Sequence, residues 1–139
     1  MFIKINSFDL KKVSIPFEKM ATVSEKAILA DAIRNMQTCG FGICCILDSS
    51  NELKGVLTDG DIRRLILNFQ GPLSSLMVRD VMDFATKKPV SFKLNDDLLD
   101  SLNILQERRI WDAPILENNK VVGLVHLHYV FGQLIKSLQ

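Results

Sequence analysis

Apolar positions along the chain fall into two similar series, residues 23–66 and residues 92–134. Each series opens with a short extended segment and then shows apolar residues at helical spacing. In the first, Leu29, Ile33 and Met36 fall on one face, Ala32 beside them permits close approach, and Ser24 is a candidate N-cap. Gly40 follows as a candidate C-cap, because glycine adopts the left-handed conformation at little cost. In the second, Leu98, Leu102 and Leu105 recur at helical spacing, Asn95 is the candidate cap, and Asp96 and Asp97 suit the positive end of the helix dipole.

Two apolar runs come next in each series. Ile43-Cys44-Cys45-Ile46-Leu47 and Ala113-Pro114-Ile115-Leu116 are too short for helices and predict buried strands. Polar turns follow at Asp48-Ser49-Ser50-Asn51 and Glu117-Asn118-Asn119. Return strands are predicted over 53–58 and 121–126, with Gly55 and Gly123 at matching places. Closing helices carry Ile62, Leu65, Ile66 and Phe69 in one series, and Leu127, Val130, Phe131, Leu134 and Ile135 in the other.

The chain is therefore predicted to be α+β, two β-α-β-β-α repeats packed in pseudo-two-fold fashion. A unit of about 45 residues buries too little surface to be comfortably stable alone, so the two are expected to share their stability. The expected boundaries are 13–70 for the first repeat, 71–88 for a connecting segment and 89–139 for the second. The connection holds Pro72 and a short helical candidate around Val78-Arg79-Asp80-Val81-Met82, and Pro89 opens the second repeat.

Charge narrows the function classes. Seventeen basic against 16 acidic residues leave a net charge of +1. That gives no electrostatic case for nucleic acid, which favours concentrated positive charge. The longest apolar run, residues 41–47, is far below the ~20 residues of a membrane helix, so no membrane association is expected. Met1-Phe2-Ile3-Lys4-Ile5-Asn6 lacks the basic start and apolar stretch of a signal peptide, and a cytoplasmic location is expected. Cys39, Cys44 and Cys45 are odd in number, and no CxxC pair occurs, which argues against a disulfide framework and a zinc site. Cys44 or Cys45 is read as a small core hydrophobe in a reducing compartment.

The densest polar cluster, Thr58-Asp59-Gly60-Asp61-Ile62-Arg63-Arg64, lies where a strand should turn into a helix. Thr58 suits an N-cap, and Asp59 and Asp61 suit a helix start. The same types suit a nucleotide equally well: helix N–H groups and a threonine hydroxyl attract phosphate, and a carboxylate three residues on accepts from a ribose diol. Spacing alone leaves both readings open. Asp59 and Asp61 supply too few ligands for a dedicated cation site. His126 and His128 would share a strand face, but no third metal ligand is near in sequence, so no metal site is expected. No catalytic serine, cysteine or carboxylate set is assignable, and no catalytic residue is expected.

The β-α-β-β-α repeat with Gly55 and Thr58-Asp59-Gly60-Asp61 resembles the CBS domain family, over nearly the whole chain from about residue 13. Leu57-Thr58-Asp59-Gly60-Asp61-Ile62-Arg63-Arg64 and Val122-Gly123-Leu124-Val125-His126-Leu127-His128 resemble, in that order, the C-terminal CBS pair of bacterial sugar-phosphate isomerases of the arabinose 5-phosphate isomerase type. Lys12-Val13-Ser14 is similar to the segment that leads into that pair. The resemblance implies a regulatory, homodimeric module that is not an enzyme by itself and that binds an adenine nucleotide or a sugar nucleotide. It also implies a sugar-isomerase catalytic domain as partner, in lipopolysaccharide or capsule sugar synthesis; this chain is expected to be either the excised regulatory piece or a free-standing relative. By the same resemblance Thr58 meets a phosphate, Asp61 a ribose, the backbone of Ile43, Cys44 and Cys45 the base, and Thr22 edges the cleft; Arg64 and His126 complete the ligand-binding set. His126 stands where Thr58 stands and Tyr129 where Asp61 stands, so the second repeat lacks the ribose-binding carboxylate. Cys45 replaces the proline seen at Pro114, and Ser14-Ile15-Pro16-Phe17 lacks the acidic-aliphatic-Met pattern of Asp80-Val81-Met82.

Overall fold

Residues 9–139 are described by the computed structural model; the leader reading of Met1 to Asn6 lies outside them. A 3-10 turn at Leu10–Val13 precedes a two-residue strand, β1 (Ile15–Pro16), and a second 3-10 turn, Phe17–Lys19, follows it. The first repeat then runs β2 (Ala21–Ser24), α1 (Leu29–Cys39), β3 (Ile43–Leu47), β4 (Leu53–Thr58) and α2 (Asp59–Asn68). A short helix, α3 (Leu73–Met77), and a 3-10 turn at Val81–Asp83 follow. The second repeat runs β5 (Phe92–Lys93), α4 (Leu98–Arg108), β6 (Asp112–Glu117), β7 (Lys120–His126) and α5 (Leu127–Ser137). Both repeats have the β-α-β-β-α order that the apolar pattern predicts.

The described chain divides into two compact units, Lys19–Pro89 in one and the described residues up to Glu18 with Val90–Gln139 in the other. In the first unit β3 is central, parallel to β2 and antiparallel to β4. All five residues of β3 are buried, so the strand reads as a continuous apolar run rather than an alternation. Leu29, Ala32 and Met36 of α1 pack with Cys44, Ile46 and Leu57 of the sheet and with Leu76 and Val81 from the segment after α2. Each fully buried leucine of this kind contributes roughly 1.5–3 kcal/mol through removal of apolar surface from water. In the second unit the sheet order is β1-β7-β6-β5, and Phe92, Leu98, Leu105, Ile115, Val125 and Val130 form the core with Leu10 and Val13.

The return strands carry the same device in both units. Gly55 lies opposite Ile46 and Gly123 opposite Ile115, each beside a register shift at which the return strand has one extra residue. A further chain segment lies against the outer edge of each return strand: Thr86 exchanges two backbone hydrogen bonds with Val56, and β1 pairs with β7 through Ile15 and Pro16. A Cβ on Gly55 would stand 3.0 Å from the Thr86 carbonyl oxygen, and one on Gly123 2.9 Å from that of Ile15. Glycine is used at both places because another backbone approaches there.

Three local expectations are corrected. Ser24 does not cap α1: it ends β2, and its hydroxyl accepts from Lys26 N–H at 3.1 Å. The helix starts after Ile28, and the Leu29 N–H is satisfied by the Arg79 carbonyl at 2.8 Å, a partner 50 residues away (79 − 29). Asn95 does not cap α4: Asp97 does, accepting from Asp100 N–H at 3.2 Å, while Asp96 accepts from Lys93 N–H at 2.8 Å. The helix expected around Val78 lies earlier, at α3, and Val78 ends it. Asp80 is extended in a bridge with Ile28, and a 3-10 turn, Val81–Asp83, is the helical part of the expected span.

Candidate ligand site

Six of the eight candidate residues sit in the described sheet of the first unit or at the start of the helix that leaves it. Thr22 is in register with Cys45, and Ile43 with Thr58. The Thr22 carbonyl is held by Asn35 Nδ2 of α1 at 2.8 Å, a support that sequence spacing did not reveal. Pairing with β2 begins at Cys44, so Ile43 is the residue of the three that β2 does not flank.

Thr58 is the N-cap of α2 and closes a capping box with Asp61. The Thr58 hydroxyl accepts from Asp61 N–H at 3.2 Å and donates to Asp61 Oδ2 at 3.0 Å; the same Oδ2 accepts from Thr58 N–H at 3.0 Å. Reciprocal satisfaction of helix-start donors is what a capping box supplies. Arg64, one turn on, donates through Nη2 to Asp61 Oδ1 at 2.8 Å. The Asp61 side chain is 15% exposed and that of Arg64 60%, so the carboxylate is enclosed and the guanidinium faces outward. Seven of the eight candidates, Arg64 included, therefore belong to one unit. Gly42 precedes β3, and its carbonyl takes the Asp59 N–H at 3.0 Å; a Cβ there would stand 2.6 Å from Asp59 Oδ2. Gly42 is thus another part of this helix start that sequence reading passed over.

Cys44 and Cys45 are fully buried. Burial first, and Cys39 second, push the Cys44 thiol up to about 12. A thiol so placed behaves as a small core hydrophobe.

His126 lies in the other unit, as the last residue of β7 and N-cap of α5, and its side chain makes no cap hydrogen bond. Its Nδ1 meets Asp112 Oδ1 at 2.5 Å, the two residues being in register across β6 and β7. Asp112 was not expected, because a pair fourteen residues apart shows only once the strand register is known. His128 does not continue a strand face: the chain turns helical at Leu127, and the His126 and His128 rings meet edge-on with centroids 6.2 Å apart. Among the described residues no group of three or more histidine, cysteine or acidic side chains is placed to hold a metal ion. Tyr129 is part-exposed in the first turn of α5, and that turn has no acidic residue, whereas α2 has Asp59 and Asp61 in its own. No described helix is long and apolar enough to cross a membrane.

The sequence model described as "CBS domain" matches residues 12–68 and 78–136. An uncharacterized protein of Helicobacter pylori is 32% identical over 99% of this chain and 39% of its own length. The arabinose 5-phosphate isomerase KdsD of Yersinia pestis is 31% identical over 79% of this chain and 32% of its own length. The chain thus spans less than two fifths of the length of each of these relatives. In fold it matches the structure of CBSX2 in complex with AMP, with a TM-score of 0.82, 19% identity, and coverage of 95% of this chain and 99% of that one.

Proposed function

We propose, from the premise that this chain belongs to the CBS domain family, that it is a regulatory module sensing an adenine nucleotide or a sugar nucleotide and that it performs no catalysis by itself. The observation that carries this reading is the meeting of Thr58, Asp61 and Arg64 at the start of α2, beside the end of β3 that β2 does not flank. Helix-start N–H groups and the Thr58 hydroxyl suit a phosphate. The Asp61 carboxylate suits a ribose diol, through the stronger, charge-assisted kind of hydrogen bond. Ile43, which β2 does not flank, offers backbone to a base, with Cys44 and Cys45 continuing the strand and Thr22 at the edge. The AMP held by CBSX2 supports an adenine nucleotide. The relationship to the Yersinia isomerase supports control of an arabinose 5-phosphate isomerase-type partner domain in lipopolysaccharide sugar synthesis, in the cytoplasm. The module works as a homodimer in this reading, and exposed Phe131 and Ile135 along α5, with Leu138 just past its end, supply an apolar stripe for association.

One observation favours a second reading, an association module without ligand: Thr58 and Asp61 already satisfy each other in the capping box. Isothermal calorimetry with AMP, ATP and a UDP-sugar separates the two. The sensing reading expects saturable binding of at least one of them; absence of binding by all three, with the chain folded and self-associated, supports the association module instead.

A further inference from the structure

Both carboxylate oxygens of Asp61 are engaged in this structure: Oδ2 takes two donors from Thr58, and Oδ1 takes Arg64 Nη2 at 2.8 Å, which leaves one acceptor site on Oδ1. The two hydroxyls of a ribose diol need two acceptor sites, one more than Asp61 has left while Arg64 holds Oδ1. The Thr58 bonds are part of the helix start itself, whereas the Arg64 bond comes from a side chain that is 60% exposed. Arg64 is therefore the donor that yields. Its guanidinium lies back over the first turn, where a Cβ on Gly60 would come within 3.3 Å of Nη1. Glycine at position 60 leaves the room that the guanidinium occupies.

Resting on the nucleotide-sensing reading, we propose that Arg64 is a latch and a specificity residue for that same site. It occupies the ribose-binding oxygen of Asp61 until a ligand arrives, then exchanges the carboxylate for the ligand's phosphate. The exchange keeps the guanidinium paired only when the incoming molecule carries a phosphate. A nucleoside without phosphate must displace Arg64 from Asp61 and leaves it with water. The site therefore selects phosphorylated nucleosides, and the selection resides in Arg64 rather than in the helix start alone. An exposed pair of this kind is worth little, so the latch tunes affinity rather than shutting the site.

The test is a calorimetric titration of AMP and of adenosine into the parent chain and into Arg64→Met, which keeps the apolar stem and removes the charge. Arg64→Gln serves as a second variant, and circular dichroism checks the fold of both. Loss of the cation is expected to weaken AMP by about tenfold, the scale of a hydrogen bond between charged groups. Release of Asp61 is expected to strengthen adenosine by about threefold, the scale of an exposed ion pair. Opposite movement of the two ligands supports the latch. If the parent binds AMP and the variants shift both ligands equally, or neither, the latch is wrong while the sensing reading stands. If the folded parent binds neither ligand, the sensing reading fails and takes the latch with it.

Discussion

Cys44 shows how one side chain's surroundings decide its chemistry. It sits in the central strand β3, fully buried, with its thiol pushed up to about 12 by burial and by Cys39. At neutral pH almost none of it is thiolate, and the thiolate is the reactive form. Cys39 is part-exposed at the end of α1. Ellman's reagent is therefore expected to modify Cys39 first in the folded chain, with Cys44 reacting only on unfolding; fast modification of Cys44 in the native state, read by mass spectrometry of the labelled peptides, contradicts this. The burial of Cys44 and Cys45 was legible from their place in an apolar run. The capping role of Thr58 was legible for a similar reason, since its partner Asp61 is three residues away. The engagement of Asp61 by Arg64 was not, because three-residue spacing permits the contact without requiring it.

At the scale of elements, what was legible depended on how local the cause is. Gly40 ends α1 in a left-handed conformation at φ 81°, with its N–H on the Met36 carbonyl at 2.8 Å, as a glycine after a helical pattern predicts. The start of the same helix is capped by the Arg79 carbonyl, and no window around Ser24 contains that information. The matched glycines fall between these cases: their equivalence shows in the repeat, and its cause shows only when β1 and Thr86 are seen against the return strands. Gly123→Ala is expected to destabilise the fold by about 1–3 kcal/mol, the cost of overpacking, because its Cβ would meet backbone rather than a flexible side chain. Gly132→Ala in α5 has open space around it and is expected to be neutral or stabilising by up to ~1 kcal/mol through helix propensity. Urea unfolding of both variants checks the contrast; equal effects contradict the close-approach explanation.

At the scale of the whole molecule, the two repeats share an element order and differ in chemistry at the same place. Where the first has a threonine–aspartate capping box with an arginine over it, the second has a histidine held by Asp112 and a tyrosine. The order was legible from apolar periodicity, and the substitutions from aligning one repeat with the other. Which segments complete each unit was not legible, because the partners of β4 and β7 come from stretches with no periodicity of their own. Nucleotide sensing is proposed for the first repeat. Backbone amide chemical shifts of the isotope-labelled chain, followed by NMR during titration with AMP, test that assignment most directly. The account predicts saturable shifts concentrated at Thr22, at Ile43, Cys44 and Cys45, and from Thr58 through Arg64. Shifts confined to His126, Leu127, His128 and Tyr129, or no shifts at all, would contradict it.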